Sequence, residues 1–445
     1  MRTAALAPER LWTGLDEPGR PGLVGGTERA APGWAVVVSD DRIQEVVPRD
    51  RLPRGMPVEE LPGATLLPGL IDCHIHLDEW VPPLCLASGI TTVRDTANHL
   101  DWILDLRRRA ADPSFPGPRI LCAGPALDGF PYVHPRITWG IRSTDDAALA
   151  VRTLARRGVD AIKLYVGLDA PTVERVAAEA ASVGLHTLGH FDTKVPLIEA
   201  VRLGVRETEH LAGVPDGFDP AVIDQVLARN AWVVPTQVVW EALLRAVDEP
   251  RGMAEALARV PANVRGWWER FRDITLRDDP GLARLRRFCS EHRRYLAALV
   301  EGGARIAAGT DAPCQYVVPG RALLDELAVL VSCGMTRGQA LRAATVRAAE
   351  LLGIAGETGT IEPGKRADLL LVRGDPLADL RALQAPLAVF RQGVRWDPAR
   401  LLEEMHPERM PSDTFPDPFV QATEWEDWKA QYVAREDSWQ ATGPT

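Results

Sequence analysis

Leu67-Pro68-Gly69-Leu70-Ile71-Asp72-Cys73-His74-Ile75-His76 reads as an apolar strand that ends in two histidines one residue apart. Side chains of an extended strand alternate between faces, so residues i and i+2 share one. His74 and His76 therefore present two imidazoles to the same side, an arrangement suited to one metal ion. A bare His-x-His is also what two unrelated surface histidines beside a turn look like. The buried character of the preceding strand, and further potential ligands at the ends of later strands, favour the metal.

From Leu67 to about Gly353, short apolar stretches alternate with helical ones. Candidate strands are 67–74, 91–96, 119–123, 160–165, 185–190, 205–210, 232–237 and 305–310. Strands alternating with helices imply parallel βαβ units. Eight of them over this length have the size of a (β/α)8 barrel, here assigned to 67–357 as a distorted TIM barrel in the α/β class. The long charged connection 238–303, with Trp240, Trp267, Trp268 and Phe271, predicts extra helices that either cover the site as a lid or decorate the periphery. Residues 321–352 carry a strong helical pattern, with Gly334 and Gly353 at helix ends.

Before the barrel, 1–66 reads as short strands and turns. Trp34–Ser39 and Arg42–Val47 flank Asp40-Asp41 as a hairpin. After it, 358–400 returns to β character at Ala367-Asp-Leu-Leu-Leu-Val372, so the two ends are expected to join as a split domain. The tail, 401–445, is rich in Trp, Pro, Glu and Asp. It either docks on the barrel or crosses to a neighbouring subunit, which leaves a homo-oligomer open.

The chain has 445 residues, enough for a barrel plus a smaller domain. A formal net charge of −10 argues against a non-specific grip on nucleic acid. No basic amphipathic helix suggests an anionic membrane surface. The cysteines (73, 85, 122, 289, 314, 333) are scattered, without a C-x-x-C, which favours a reducing compartment over a disulfide framework. No secretory signal and no bilayer-spanning run is read, so the expected location is cytoplasmic. Lys occurs only at 163, 194, 365 and 429, so a lysine at a strand end is unusual for this chain.

Lys163 ends Asp160-Ala-Ile-Lys-Leu-Tyr165, His190 ends His186-Thr-Leu-Gly-His190, His210 ends Arg206-Glu-Thr-Glu-His210, and Asp311 follows Ile306-Ala-Ala-Gly-Thr310. Each lies at or just past the C-terminal end of a candidate strand. In a parallel barrel those ends face one mouth, where residues far apart in sequence converge. Any one alone is more often structural, and an Asp after Gly-Thr is often a turn former. Lys163 has three readings, because an ammonium has donors but no acceptor and cannot itself ligate a cation. It forms an ion pair, anchors substrate, or is carbamylated and so becomes an anion with two oxygens.

In order and spacing, His74/His76, Lys163, His190, His210 and Asp311 resemble the amidohydrolase superfamily. The flanks match too: Leu67–Asp72, Ser88-Gly-Ile-Thr-Thr-Val-Arg-Asp95, Gly309-Thr-Asp311, Glu326-Leu with Gly334-Met-Thr and Ala340–Thr345, and Gly359-Thr-Ile with Pro363–Asp368. The likeness spans roughly 35–385 and is strongest to the imidazolonepropionase-related and Xaa-Pro dipeptidase-like branch. It implies a split β-sandwich from 1–66 and 358–400 beside the barrel. It implies two divalent ions, zinc or else manganese, iron or cobalt: the first on His74, His76 and Asp311, the second on His190 and His210, with carbamylated Lys163 between them. A hydroxide bridging the ions would attack an amide, peptide or cyclic amide C–N bond of a small molecule, with Asp311 as general base and then acid. His134, in Gly129-Phe-Pro-Tyr-Val-His-Pro135, would polarise the scissile carbonyl; relatives often carry Gly-Gly-His there. Tyr165 would contact substrate. Asp192 and Glu209 are candidates to orient the neighbouring histidines, while His186 and His99 read as packing. Trp80, Trp139 and Trp240 either line an apolar subsite or pack.

Two other readings compete. One is a mononuclear deaminase or imidazolone-ring hydrolase using His74, His76, His190 and Asp311 with an unmodified Lys163. The other is a catalytically silent scaffold, which the complete set of candidate ligands disfavours.

Overall fold

The computed structural model describes residues 3–15, 30–130, 132, 134, 137–192, 194–215, 217–249, 253–275 and 279–405. The tail expected to dock or to cross to a partner therefore lies almost wholly outside the described residues. In chain order the strands are β1 (Ala4–Leu11), β2 (Trp34–Ser39), β3 (Arg42–Pro48), β4 (Val58–Pro68), β5 (Leu70–Ile75), β6 (Ile90–Asp95), β7 (Arg119–Cys122), β8 (Ala126–Gly129) and β9 (Thr138–Ile141). They continue with β10 (Ala161–Leu164), β11 (His186–Gly189), β12 (Glu207–Glu209), β13 (Trp232–Val234), β14 (Arg305–Ile306), β15 (Leu369–Arg373), β16 (Pro386–Arg391) and β17 (Val394–Trp396).

These strands form three sheets. Strands from both ends of the chain share one seven-stranded sheet in the order β17-β16-β15-β4-β1-β2-β3. Its β2–β3 hairpin turns at Asp40-Asp41 as expected, with Asp40 at φ +52, a left-handed conformation that Asp tolerates. The middle of the chain forms two parallel sheets, β5-β6-β7 and β14-β13-β12-β11-β10-β8-β9. Helices alternate with the strands, and several present a buried stripe to them. Helix Thr144–Arg157 is an example: Ser143 caps its first turn, and Ala147, Ala150, Val151 and Leu154 are buried.

The decisive stretch departs from the sequence expectation. The single strand expected over 67–74 is two. β4 ends at Pro68 in the mixed sheet, and β5 begins at Leu70 in a parallel sheet. Gly69 makes the passage: a Cβ there would sit 2.3 Å from Thr91 Oγ1, so only glycine fits. The Gly69 N–H donates to Asp368 O at 2.9 Å, tying the crossing point to the chain just before β15. The other expected strands are found, mostly shortened, and β8 and β9 are added between the third and fourth.

Backbone hydrogen bonds also link the edges of the parallel sheets. Cys73 N donates to Ala308 O at 3.0 Å and His76 N to Ala312 O at 2.7 Å, joining β5 to the segment after β14. Asp160 N donates to Cys122 O at 2.8 Å at the other junction. The 238–303 connection is helical, as expected, with helices Gln237–Asp248, Ala254–Leu257, Ala262–Thr275 and Asp279–Glu301. All six cysteines are free. No helix among the described residues is long and apolar enough to cross a membrane.

Candidate metal centre and active site

The C-terminal ends of the parallel strands bring the candidate residues together. His74 lies in β5 with His76 just beyond it, and Lys163 lies in β10. His190 and His210 follow β11 and β12, and Asp311 lies beyond β14. Asp311 is the hub. Its Oδ1 is 3.1 Å from His74 Nε2 and 3.0 Å from His76 Nε2, and its Oδ2 is 4.0 Å from His210 Nδ1. Ligand atoms of His74, His76 and Asp311 all lie within 4.8 Å of one another, close enough for one ion. His210 and His190 extend the cluster: the His74–His210 ring centroids are 4.5 Å apart and the His190–His210 centroids 4.6 Å. Tyr165 packs on His190 at 4.9 Å, and its hydroxyl is 3.2 Å from His134 Nε2.

The electrostatics suit a cation. Burial pushes His190 and His134 down to about 3 and His210 well below the usual imidazole range, leaving their ring lone pairs unprotonated at neutral pH. Burial works against ionisation of Asp311, yet the adjacent His210 and His74 hold its carboxyl well below the ordinary range. Burial likewise opposes charge on His74, and the Glu209 carboxylate overrides it. Lys163 is 2% exposed, and among the described residues its Nζ has no hydrogen-bond partner. Burial lowers its pKa. A buried amine without an acceptor is an uncommon and unfavourable arrangement.

A shell of buried polar side chains fixes these residues. Asp72 accepts from Thr310 Oγ1 at 2.7 Å and from the N–H groups of Thr310 and His74, so it ties together the segments that carry His74 and Asp311. Gly309 permits their close approach, since a Cβ there would lie 2.8 Å from His74 Cβ. Glu209 contacts His74 Nδ1 and so directs Nε2 at Asp311. Arg94 grips Glu207, reaches Glu209 Oε1 at 3.3 Å and donates to Cys73 O at 2.8 Å. Removing one partner from a buried charge network of this kind costs about 3–5 kcal/mol. His210 and Asp311 hold φ of +64 and +61, left-handed backbone that is uncommon away from glycine but that His and Asp adopt more readily than most residues.

His210 Nδ1 also meets Thr236 Oγ1 at 2.6 Å, and Thr236 itself holds φ +43. The turn is set by Glu326, whose carboxylate oxygens accept from Gln237 N at 3.1 Å and Val238 N at 2.7 Å. Burial pushes the Glu326 carboxyl up to about 8, against an ordinary 4.5. The folded chain therefore holds a proton that the unfolded chain has released between about 4.5 and 8, and stability falls as pH rises through that window. Relative to Glu326→Gln, which cannot ionise, the wild type is expected to lose stability between pH 5 and 8 in urea denaturation. A difference independent of pH would show that Glu326 is ionised throughout.

The helical insertion reaches the site. Trp240 packs on His210 with centroids 6.2 Å apart and donates from Nε1 to His210 O at 3.4 Å; His292 stands 6.1 Å behind it. Trp80 instead is core, its Nε1 donating to Asp78 Oδ2 at 3.1 Å. His186 does more than pack, since its Nε2 is 2.9 Å from Glu207 Oε2. Asp192 makes an isolated backbone bridge with Val195. Sequence reasoning missed Arg94, Glu207, Thr236 and the capping role of Glu326. The one signal available was that Arg94 and Glu326 sit inside the quoted flanking motifs.

Comparison with known proteins identifies the family. The model of the Amidohydrolase family matches residues 85–395. Ochratoxinase of Aspergillus niger is 23% identical, the match covering 82% of this chain and 83% of that protein. Imidazolonepropionase of Rubrobacter xylanophilus is 26% identical over 78% of this chain and 86% of its own. The crystal structure of a putative prolidase from Bifidobacterium longum superposes with a TM-score of 0.71 at 25% identity, covering 91% of this chain and 98% of that one. With the family model spanning well over half of its length, the chain belongs to the amidohydrolase family and is a hydrolase of carbon–nitrogen bonds.

Proposed function

We propose that this protein is a metal-dependent amidohydrolase that cleaves an amide, peptide or cyclic amide bond of a small molecule. The observation that carries the proposal is the convergence of His74, His76 and Asp311 within 4.8 Å beside the unpartnered Nζ of buried Lys163. The two parallel sheets are read as parts of one distorted (β/α)8 barrel, and the mixed sheet as part of a split β-sandwich. His74, His76 and Asp311 would hold one divalent ion, and His190 and His210 a second. Lys163, carbamylated, would contribute an oxygen to each. Zinc suits this donor set best, since imidazole and carboxylate are its common ligands. Such ions supply Lewis acidity and bring a water molecule's pKa towards neutrality.

The remaining chemistry belongs to the chain. Asp311, ionised and flanked by imidazoles, takes the proton of the attacking water and later delivers it to the leaving nitrogen. His134 Nε2 and the Tyr165 hydroxyl lie 3.2 Å apart, so one would donate to the other and the pair would present a single oriented donor to the substrate carbonyl oxygen. Glu209 and Thr236 keep the His74 and His210 rings in one orientation.

Elemental analysis together with a panel of dipeptides, N-acyl amino acids and cyclic amides tests the proposal. Two ions per chain and turnover of at least one class are expected. One ion with turnover of a ring amidine or an imidazolone would favour the mononuclear deaminase or imidazolone-ring hydrolase. No turnover with any metal would leave a scaffold.

A further inference from the structure

The opposite ends of the same strands carry a different set of groups. His186 opens β11, Arg206 immediately precedes β12, Trp232 opens β13 and Arg305 opens β14. Since β10 to β14 run parallel, these positions lie at the end remote from His190, His210 and Asp311. Two adjoining clefts of about 290 Å³ each meet there and share His186 and Arg206. Arg94 lines the first, and Arg229 and Arg305 line the second. Arg305 stacks over the Trp232 ring, its Cζ 3.9 Å from the centroid.

Among the described residues, Arg206, Arg229 and Arg305 have no carboxylate within ion-pair distance. Arg107, Arg152 and Arg286 each meet one, while among the described residues Arg51, Arg142 and Arg373 do not, so it is the gathering of three around one cleft that sets this group apart. The acid that lines the first cleft, Asp160, is already engaged by Arg107 at 2.9 Å and by Cys122 N at 2.8 Å. Helix C-termini face this end and carry about half a negative charge each, which attracts guanidinium groups but does not account for three of them around one cleft. In a chain of net charge −10, such convergence is a local reversal of sign. Guanidinium forks match the oxygens of a phosphate or carboxylate two at a time.

The cleft is also wired to the other mouth. His186 Nε2 is 2.9 Å from Glu207 Oε2, Arg94 grips Glu207 and reaches Glu209 at 3.3 Å, and Glu209 contacts His74 Nδ1. Charge placed beside His186 therefore acts on a chain of contacts that runs through buried Glu207, Arg94 and Glu209 to a candidate metal ligand, in surroundings that screen it poorly.

We propose that Arg206, Arg229, Arg305 and His186 form an effector site for a phosphate group, distinct from the catalytic mouth, whose occupancy alters turnover. The test is calorimetric titration of the metal-loaded full chain with inorganic phosphate, at ionic strength held constant with chloride. One saturable site that substrate does not displace is expected. Arg206→Ala and Arg305→Ala should each weaken it at least tenfold while leaving activity without phosphate unchanged, with Arg229→Ala as a third, surface variant. Saturating phosphate should change kcat of the wild type by more than twofold and leave that of Arg206→Ala unchanged. Tighter binding of glycerol 3-phosphate than of phosphate would identify an esterified ligand, and the reverse a free anion. Absence of binding overturns the proposal. So does binding that survives the arginine variants and vanishes on chelation, since that places phosphate at the metals. A filled site with unaltered kcat overturns the effector role.

Discussion

Asp311→Asn should lower kcat by about 10³- to 10⁴-fold, the scale of removing a general base and acid that also stabilises charge. Asparagine is the informative replacement. It keeps the size of the side chain and tolerates the φ of +61 at this position, so the backbone has no reason to move. It also keeps one oxygen to meet His74 Nε2 and His76 Nε2, now 3.1 and 3.0 Å from the carboxylate. The amide cannot accept a proton near neutral pH. The expected result is a folded protein of moderately lower thermal stability, since the carboxylate's favourable interaction with His210 and His74 is lost, with at most partial loss of metal and almost no turnover. Metal content must be measured on the same sample. Full metal occupancy with activity within tenfold of the wild type would remove Asp311 from the proton path and leave it a ligand only.

The legible part of this site was its set of candidate ligands, and the reason is geometric. His74 and His76 announce themselves because strand alternation places i and i+2 on one face. Lys163, His190, His210 and Asp311 follow because the C-terminal ends of parallel strands share a mouth. The break at Gly69 was hidden because Leu67, Leu70 and Ile71 are all buried on either side of it, so no change of pattern marks the passage between sheets. β8 and β9 were hidden because four-residue segments such as Ala-Leu-Asp-Gly carry no periodicity to read. The orienting shell was the least legible. Arg94 and Glu207 are charged residues within strands, where burial is the exception, and they pair with each other across 113 residues of sequence. Thr236 acts on His210 only because Glu326, distant in sequence, fixes the turn that carries it. Glu209 could be suspected from its place beside His210. That it serves His74 instead follows only from the pairing of strands.

Lys163→Ala should reduce bound metal from two ions per chain to one or none and lower kcat by about 10³-fold, equivalent to about 4 kcal/mol of lost charge stabilisation. The argument rests on what a lysine can be in this pocket. As an ammonium its Nζ would be buried with no hydrogen-bond partner among the described residues, and the nearby Glu209 and Asp311 carboxylates only partly offset the cost of burial. Burial lowers its pKa, which favours the neutral amine that reacts with carbon dioxide. That reaction forms one N–C bond and releases one proton. It replaces an orphaned donor by an anionic group with two acceptor oxygens, a better neighbour for cations at the His74/His76 and His190/His210 ends of the cluster. Growth or reconstitution with ¹³C-bicarbonate should then yield a carbamate carbon resonance in the wild type that is absent from Lys163→Ala. Lys163→Arg, which keeps the charge but cannot be carbamylated, should be as inactive as the alanine variant. If a single ion binds in the wild type, no carbamate signal appears, and Lys163→Ala retains activity within tenfold, the second ion and its bridge are absent, and the chemistry must be done around His74, His76 and Asp311 alone.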